Sequence, residues 1–308
     1  MSPSQRHKLS TTSKRKLGIH QTEPTPAPAG SSAPSSNNPR NLPLAKGIPL
    51  RDPATPSRLI DLSLAYTTSL TNVAALGAGA DALSELPVGI HTFGGVPFDV
   101  RGVIFRSSSY EANAALTSIP IRSKCQALYF LHGAAAMVFA RDNWQVGAYR
   151  VHYAGGGSQD IPVLIGRHVR DWFYYEGEPV EVGQAPLVWV GLNARARDIK
   201  SFTRLYLMSW TNPVPDTPIE FIEFPNCAPA TLFLIALSAE PPAEDATQKA
   251  SVAAPDSHTV LVRTLRTLDE AIARRPGHLP FVEAKADLIR RYSQTNDPRT
   301  ELDQLGDK

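Results

Sequence analysis

The stretch Ala148–Ile165 limits the possible folds most sharply, because two runs of β-branched and aromatic residues flank Gly155-Gly156-Gly157-Ser158. Two such runs closed by a glycine-rich turn read as a β-hairpin. Tyr149, Val151 and Tyr153 fall on one side of the first run, and Arg150 and His152 on the other. That is the two-residue period of a half-buried strand. Similar runs recur from about Phe93 to Ala239 without a sustained helical period. The expected strands cover residues 89–93, 98–106, 126–132, 147–154, 161–165, 187–192, 202–210, 219–224 and 231–239, with Arg58–Leu64 ahead of them. Turn signals at Gly94-Gly95, Asn212-Pro213 and Pro215-Asp216 punctuate the series. The pattern predicts an all-β chain, an antiparallel two-sheet jelly-roll sandwich rather than a βαβ fold.

The flanks differ from this region. Residues 1–56 are rich in Ser, Thr, Pro, Ala and Asn, a composition that cannot offset the entropy of ordering, and are expected to form a disordered tail. The β-sandwich domain is expected over residues 57–240. A Gly/Ala/Asn-rich surface connection is expected inside it, between Leu64 and Glu85. A Pro-Pro-initiated linker follows at 241–257, and then the period becomes helical. Val260, Leu261, Leu265, Leu268 and Ile272 make one apolar stripe, ended by Pro276-Gly277. Phe281, Ala284, Leu288 and Tyr292 make a second, so residues 258–295 read as a helical hairpin before a tail at 296–308. The linker and the abrupt change of period imply a hairpin separable from the β domain.

Charge narrows the function classes. The net charge of +2 conceals a basic first 50 residues, with seven Lys and Arg against Glu23 alone. The remainder is therefore acidic and shows no basic footprint for nucleic acid. No apolar core of roughly 7–15 residues follows the basic N-terminus, so a secretory signal is not expected. The longest apolar run, Pro229–Ala239, is about half a membrane span and reads as a buried strand. A cytoplasmic location is expected if the chain begins at this Met1. Cys125 and Cys227 match no zinc or redox spacing. They read as two buried thiols, with a disulfide between them as the alternative. No cofactor or metal is expected.

Several stretches resemble the galactose-binding-like jelly rolls, including carbohydrate-binding modules, and especially uncharacterised versions in multidomain bacterial proteins. They are Leu86–Val103, Tyr129–Gly133, the opening hairpin, Val169–Trp172, Trp210–Pro215, and the strands ending in Phe224 and Leu237. The resemblance spans roughly residues 58–240. It implies a recognition module, with a glycan or other surface ligand as partner, inside a larger assembly. Leu268–Leu288 resembles the second helix of one tetratricopeptide repeat followed by the first helix of the next, with Ala271 and Pro276 at favoured positions. A single such unit is too short for a solenoid, which needs about three. It implies protein docking.

The candidate ligand-binding residues are Asp171 and Trp172, with Asp99 and Arg101 second. An aromatic beside charged groups can stack on a sugar's apolar face, and the Arg fork suits hydroxyls or a carboxylate. Trp172 could equally plug the end of the sandwich, and Asp99 and Arg101 could form an internal salt bridge. His132 and His152 lie in strands without an H-x-H or HExxH arrangement and read as structural. Glu220 and Glu223 are an odd number of residues apart, so strict alternation puts them on opposite faces of their strand. No G-x-S-x-G, P-loop or G-x-G-x-x-G site is present. The expected function is therefore noncatalytic recognition. A glycan-directed hydrolase and a structural spacer are the alternatives.

Overall fold

The computed structural model describes residues 45–73, 81–105, 117–135, 141–224, 230–242 and 255–295, all within the compact unit Leu42–Lys308. The expected tail up to residue 44, most of the linker, residues 296–308 and Cys227 lie outside the described residues. In chain order the elements are β1 (Gly89–Phe93), β2 (Val96–Val100), β3 (Ile104–Phe105), β4 (Thr117–Ser123), β5 (Ala127–Ala135), β6 (Gln145–Tyr153) and β7 (Ser158–Leu164). There follow β8 (Leu187–Gly191), α1 (Ala194–Asp198), β9 (Thr203–Thr211), β10 (Ile219–Phe224), β11 (Thr231–Glu240), α2 (Ser257–Arg274) and α3 (Leu279–Thr295).

Every pairing between these strands is antiparallel. They form a five-stranded sheet ordered β3-β11-β5-β9-β8, a four-stranded sheet ordered β4-β10-β6-β7, and the β1-β2 hairpin. Gly155, Gly156 and Gly157 close the β6–β7 hairpin at φ of 83°, 98° and 89°, a backbone region that side-chain-bearing residues rarely adopt. The edge strands β4 and β7 carry Pro120 and Pro162. Proline lacks a ladder donor and blocks further pairing there.

Aromatic rings join the two larger sheets. Phe130 of β5 stacks on Tyr149 of β6 at 4.3 Å, and Tyr149 meets Phe224 of β10 edge-on at 5.9 Å. His132, wholly buried in β5, lies 3.1 Å from the Tyr149 hydroxyl through Nδ1 and 3.1 Å from the His168 carbonyl through Nε2. The carbonyl can only accept, so Nε2 carries the proton and Nδ1 accepts from the hydroxyl.

Burial patterns separate the sheets. In β6 and β7 the inward residues alternate with exposed ones, so the outer face of that sheet meets solvent. Strands β8 and β11 are buried almost throughout. Strands with two covered faces read as continuous apolar runs. The outer cover of the five-stranded sheet comes from β2, which packs over β11, and from α2, which packs over β8.

Two boundaries differ from expectation. The packed chain begins before residue 57. Ile48 is buried, and Arg51 donates to the Leu59 carbonyl at 2.6 Å. Leu70, Val73 and Leu83, expected in a surface loop, belong to the core, and Arg58–Leu64 contributes one bridge, Leu59 with Ser238, in place of a strand. The helical hairpin is not a separate body either. Phe281 packs on Phe202 at 5.1 Å, and Leu261, Leu268, Ala284 and Leu288 join the same core. Buried Thr264 accepts from the Leu187 N–H at 3.3 Å, while Thr267 donates to the Leu187 carbonyl at 2.9 Å. Helix α2 thereby satisfies polar groups on the open edge of β8, one of the ways a sheet edge is protected.

Truncation after Pro242 would uncover that edge and the apolar face beneath the helices. Each buried Leu or Phe contributes about 1.5–3 kcal/mol, so the shortened chain should lose at least ~3 kcal/mol in urea unfolding and aggregate more readily. An unchanged midpoint would return the hairpin to a separate domain.

A second expectation concerns acid. Burial pushes His132 from the ordinary 6.5 down to about 3, opposed only in part by its hydrogen bond to the His168 carbonyl. Burial also lowers His168. The unfolded chain takes up these protons first, so stability is full above ~6.5 and falls as pH drops from there towards 3. Each such group contributes a slope of up to ~1.4 kcal/mol per pH unit. Urea titrations between pH 7 and pH 4 should show a shallower loss in His132→Gln than in the native chain.

Candidate functional site

Asp99 and Arg101 meet as an internal ion pair. Arg101 is 3% exposed and donates Nε to Asp99 Oδ2 at 3.0 Å, with further bonds to Asp61 at 2.7 Å and Ser63 at 2.8 Å. Its guanidinium lies 5.6 Å from the Tyr66 ring, and Arg51 adds a second cation 3.4 Å from Asp99. Burial would raise the Asp61 carboxyl, but bonds from Ser63 and Arg101 outweigh it and hold the group below its ordinary value. Burial raises the Tyr66 hydroxyl. This network ties residues 51–66 to the end of β2; Asp99 and Arg101 themselves present almost no surface to a ligand, and its exposed member is Asp61, at 55%.

Trp172 is also inside. It is 1% exposed and packs against Phe173 at 4.6 Å and edge-on to Phe233 at 5.9 Å. Its backbone N–H donates to the Ala134 carbonyl and its backbone carbonyl accepts from the Arg204 backbone N–H. A stacking role for this ring is therefore corrected to a packing role. Asp171 is half-buried and accepts from the Phe173 N–H at 2.9 Å, an Asx-type turn bond. Arg204, wholly buried, donates to the carbonyls of Asp171, Phe173 and Pro179 and to Glu178, which fixes the 171–179 segment.

Among the described residues two aromatics are strongly exposed, Tyr175 of this segment and Trp144. Trp144, at the start of β6, is 51% exposed. The Arg141 guanidinium sits 5.8 Å from its ring. Asn143 adopts a left-handed φ of 68°, which Asn tolerates better than most residues. Its N–H donates to the Ile165 carbonyl, its side-chain oxygen accepts from Arg167 Nε at 2.7 Å, and Ile165 donates back to Trp144. Asp142 takes two bonds from Arg170, at 3.0 and 3.2 Å. Gly166, at φ 74°, passes so close that a Cβ would lie 2.7 Å from the Asp142 carboxylate. Behind this turn, His168 Nδ1 accepts from the Leu164 N–H, and Nε2 meets the Gln184 side chain at 3.0 Å. Burial lowers its pKa, so the ring remains a neutral brace. The result is an exposed indole with Arg141 over one face, on a loop end held by hydrogen bonds to Ile165 and by Arg167 on Asn143. Sequence reasoning passed over Trp144. Its signal was a tryptophan outside any apolar run, within Arg141-Asp-Asn-Trp144.

The outer face of the four-stranded sheet brings a further correction. The register shifts between Ile219 and Phe221 against both neighbouring strands; against β6 the extra residue is Glu220, and against β4 it lies on β4, where Arg122 has a φ of 53°. Bulges interrupt alternation, and here Ile219 and Ile222 both face inward while Glu220, Phe221 and Glu223 are exposed or half-exposed. The parity argument that separated the two glutamates therefore fails. His152 stacks on Phe221 at 4.3 Å, and its Nε2 is 3.2 Å from Glu223 but outside hydrogen-bonding alignment.

Among the described residues, no group of three or more His, Cys, Asp and Glu side chains is placed to hold a metal ion, and no helix is long and apolar enough to cross a membrane. Cys125 is buried, and burial pushes its thiol up to about 11. Comparison with protein-family models, curated proteins and solved structures gives no match in any of the three.

Replacing Trp172 by Ala should cost ~3–5 kcal/mol, the range for removing a buried large aromatic. Denaturant unfolding checks this, and a loss below ~1 kcal/mol would contradict its place in the core.

Proposed function

We propose that the chain is a noncatalytic recognition module of the galactose-binding-like kind, whose β region is a two-sheet jelly roll holding a saccharide at Trp144. The exposed, braced indole carries this reading. A pyranose ring offers an apolar face to an indole, and the neighbouring guanidinium groups and Asn143 suit the hydroxyls around its rim. The jelly-roll reading rests on connectivity. The chain passes between the two larger sheets from β3 to β4, β4 to β5, β5 to β6, β7 to β8, β9 to β10 and β10 to β11. Within the two larger sheets only the β6–β7 and β8–β9 connections stay in one sheet.

The alternative, a glycan-directed hydrolase, draws support from the bulge that turns Glu220 and Glu223 to the same side. Release of reducing ends from a polysaccharide, abolished by Glu220→Gln or Glu223→Gln, would favour it.

Trp172 and Trp189 are buried and Trp210 is half-buried, so Trp144 is the most exposed of the four tryptophans, and loss of a ligand-induced emission change in Trp144→Ala would assign that change to it. A panel of oligosaccharides should include one that alters the emission. Trp144→Ala should abolish that binding while changing stability by no more than ~0.5 kcal/mol, the usual range for surface positions. Undiminished binding by Trp144→Ala, or no binding by any saccharide, would overturn the proposal.

A further inference from the structure

An open strand edge is a row of unpaired backbone donors and acceptors, and folded chains guard it with proline, charge or a covering segment. Among the described residues, every sheet edge but one is guarded. Pro120 and Pro162 stand on β4 and β7, and Thr264 and Thr267 of α2 cap β8 at Leu187. Beside the two-residue β3, Thr67 and Thr68 bond Val103 and the Phe105 N–H. Strand β2 carries Pro97, whose carbonyl accepts from the Ser238 hydroxyl at 2.6 Å.

The remaining edge is β1, Gly-Ile-His-Thr-Phe, with neither proline nor a carboxylate, Lys or Arg. Gly94 and Gly95 close its hairpin at φ 57° and 86°, as in a two-residue type I′ turn, so Phe93 and Val96 form a hydrogen-bonded pair. Pairs then alternate, which makes Thr92 with Pro97 and Ile90 with Asp99 the non-hydrogen-bonded ones. The outer bonds of β2 agree, since the Pro97 and Asp99 carbonyls turn away from β1 to Ser238 and Tyr66. The N–H and C=O of Ile90 and Thr92 therefore point away from β2, and no described residue bonds them. Both residues are exposed.

We propose that β1 pairs antiparallel with β1 of a second copy of this chain, about a two-fold axis at His91. An edge of this kind takes another strand, and this one is complementary to itself. With the axis at His91, Ile90 faces the partner's Thr92, and each such pair exchanges both backbone bonds. An axis at Ile90 would set Thr92 against Val88, whose carbonyl already meets His91 Nε2 at 3.0 Å. An axis at Thr92 would set Ile90 against the Gly94 turn. No Asp, Glu, Lys or Arg occurs in residues 86–98, so the pairing opposes no like charges. Two edges of this length make a small interface, below the ~1,200 Å² of standard complexes, and the dimer is accordingly weak and reversible. The inference is independent of the saccharide reading, since it uses none of the residues around Trp144.

Sedimentation of the full chain from about 10 μM to 1 mM, the range of a weak interface, should show a monomer–dimer equilibrium. Amide exchange at Ile90 and Thr92 should be fast at the dilute end and slowed at the concentrated end. Thr92→Pro removes a donor that the hairpin does not use, and Ile90→Lys adds the charge that guarded edges carry. Each should keep the native thermal midpoint within a few degrees and weaken dimerisation at least tenfold. His91→Cys should cross-link on oxidation, because residues on a non-hydrogen-bonded two-fold pair lie ~4.5 Å apart, within disulfide reach. Ile90→Cys should not. A chain monomeric at 1 mM would overturn the inference, as would a dimer that both edge variants leave unaltered. Slow exchange of the two amides in dilute solution would overturn it too, by showing the edge covered within one chain, and so would cross-linking through Ile90→Cys alone.

Discussion

The five-stranded sheet is apolar on both faces, and most of the architecture follows from having to cover them. Strand β11 reads Thr-Leu-Phe-Leu-Ile-Ala-Leu-Ser-Ala before it reaches a polar end, and β8 is buried throughout. One face is covered by the four-stranded sheet, through Phe130, Tyr149 and Phe224. The other needs a second cover, which β2 and α2 supply. A buried Leu or Phe side chain is worth about 1.5–3 kcal/mol. Leaving that face open would therefore offset much of a total stability that is only ~5–15 kcal/mol for an ordinary domain. The helical pair is thus a structural requirement of the sheet, whatever else it contacts.

Buried arginines organise the irregular parts. Arg101, assisted by Arg51, holds the chain before β1 against β2 through Asp61 and Asp99. Arg204 holds the 171–179 segment through three carbonyls. Such groups are weak evidence for net stability, because desolvation is expensive, but removing one partner strands a charge. Their specific contribution is geometric: a planar fork bonded in several directions fixes loops that carry no ladder of their own.

The strands were legible wherever one face was solvated or the run was continuously apolar, as in β1, β6, β10 and β11. Strand β4 was missed because Pro120 and Arg122 interrupt Ile119 and Ile121, and edge strands tolerate that interruption. Helical stripes were legible in α2 and α3, but their docking was not. The signal for docking was Thr264, a polar residue inside an apolar stripe, which reaches the β8 backbone. The bulge at Glu220 was invisible to alternation, since one extra residue reverses the parity of all that follows. The candidate site was legible in kind and misplaced in position. Trp172 and Trp144 both stand beside charged residues in sequence, and only packing tells them apart.

The ring at Trp144 differs from an incidental surface aromatic in how its turn is held. Asn143 and Gly166 occupy left-handed backbone positions, and Asp142, engaged by Arg170, fills the space a side chain at position 166 would need. At Asn143, which unlike Gly166 carries a side chain, such a backbone costs about 1–2 kcal/mol and persists only where its surroundings enforce it. Here the enforcement comes from hydrogen bonds spanning the ends of β6 and β7 and the 165–170 turn. A platform fixed before binding loses little entropy when a ligand arrives, which is how preorganisation raises affinity. The same rigidity limits adaptation, and since Arg167 is itself held by Asn143, ligand selection at this end would fall to the guanidinium of Arg141 rather than to movement of the turn.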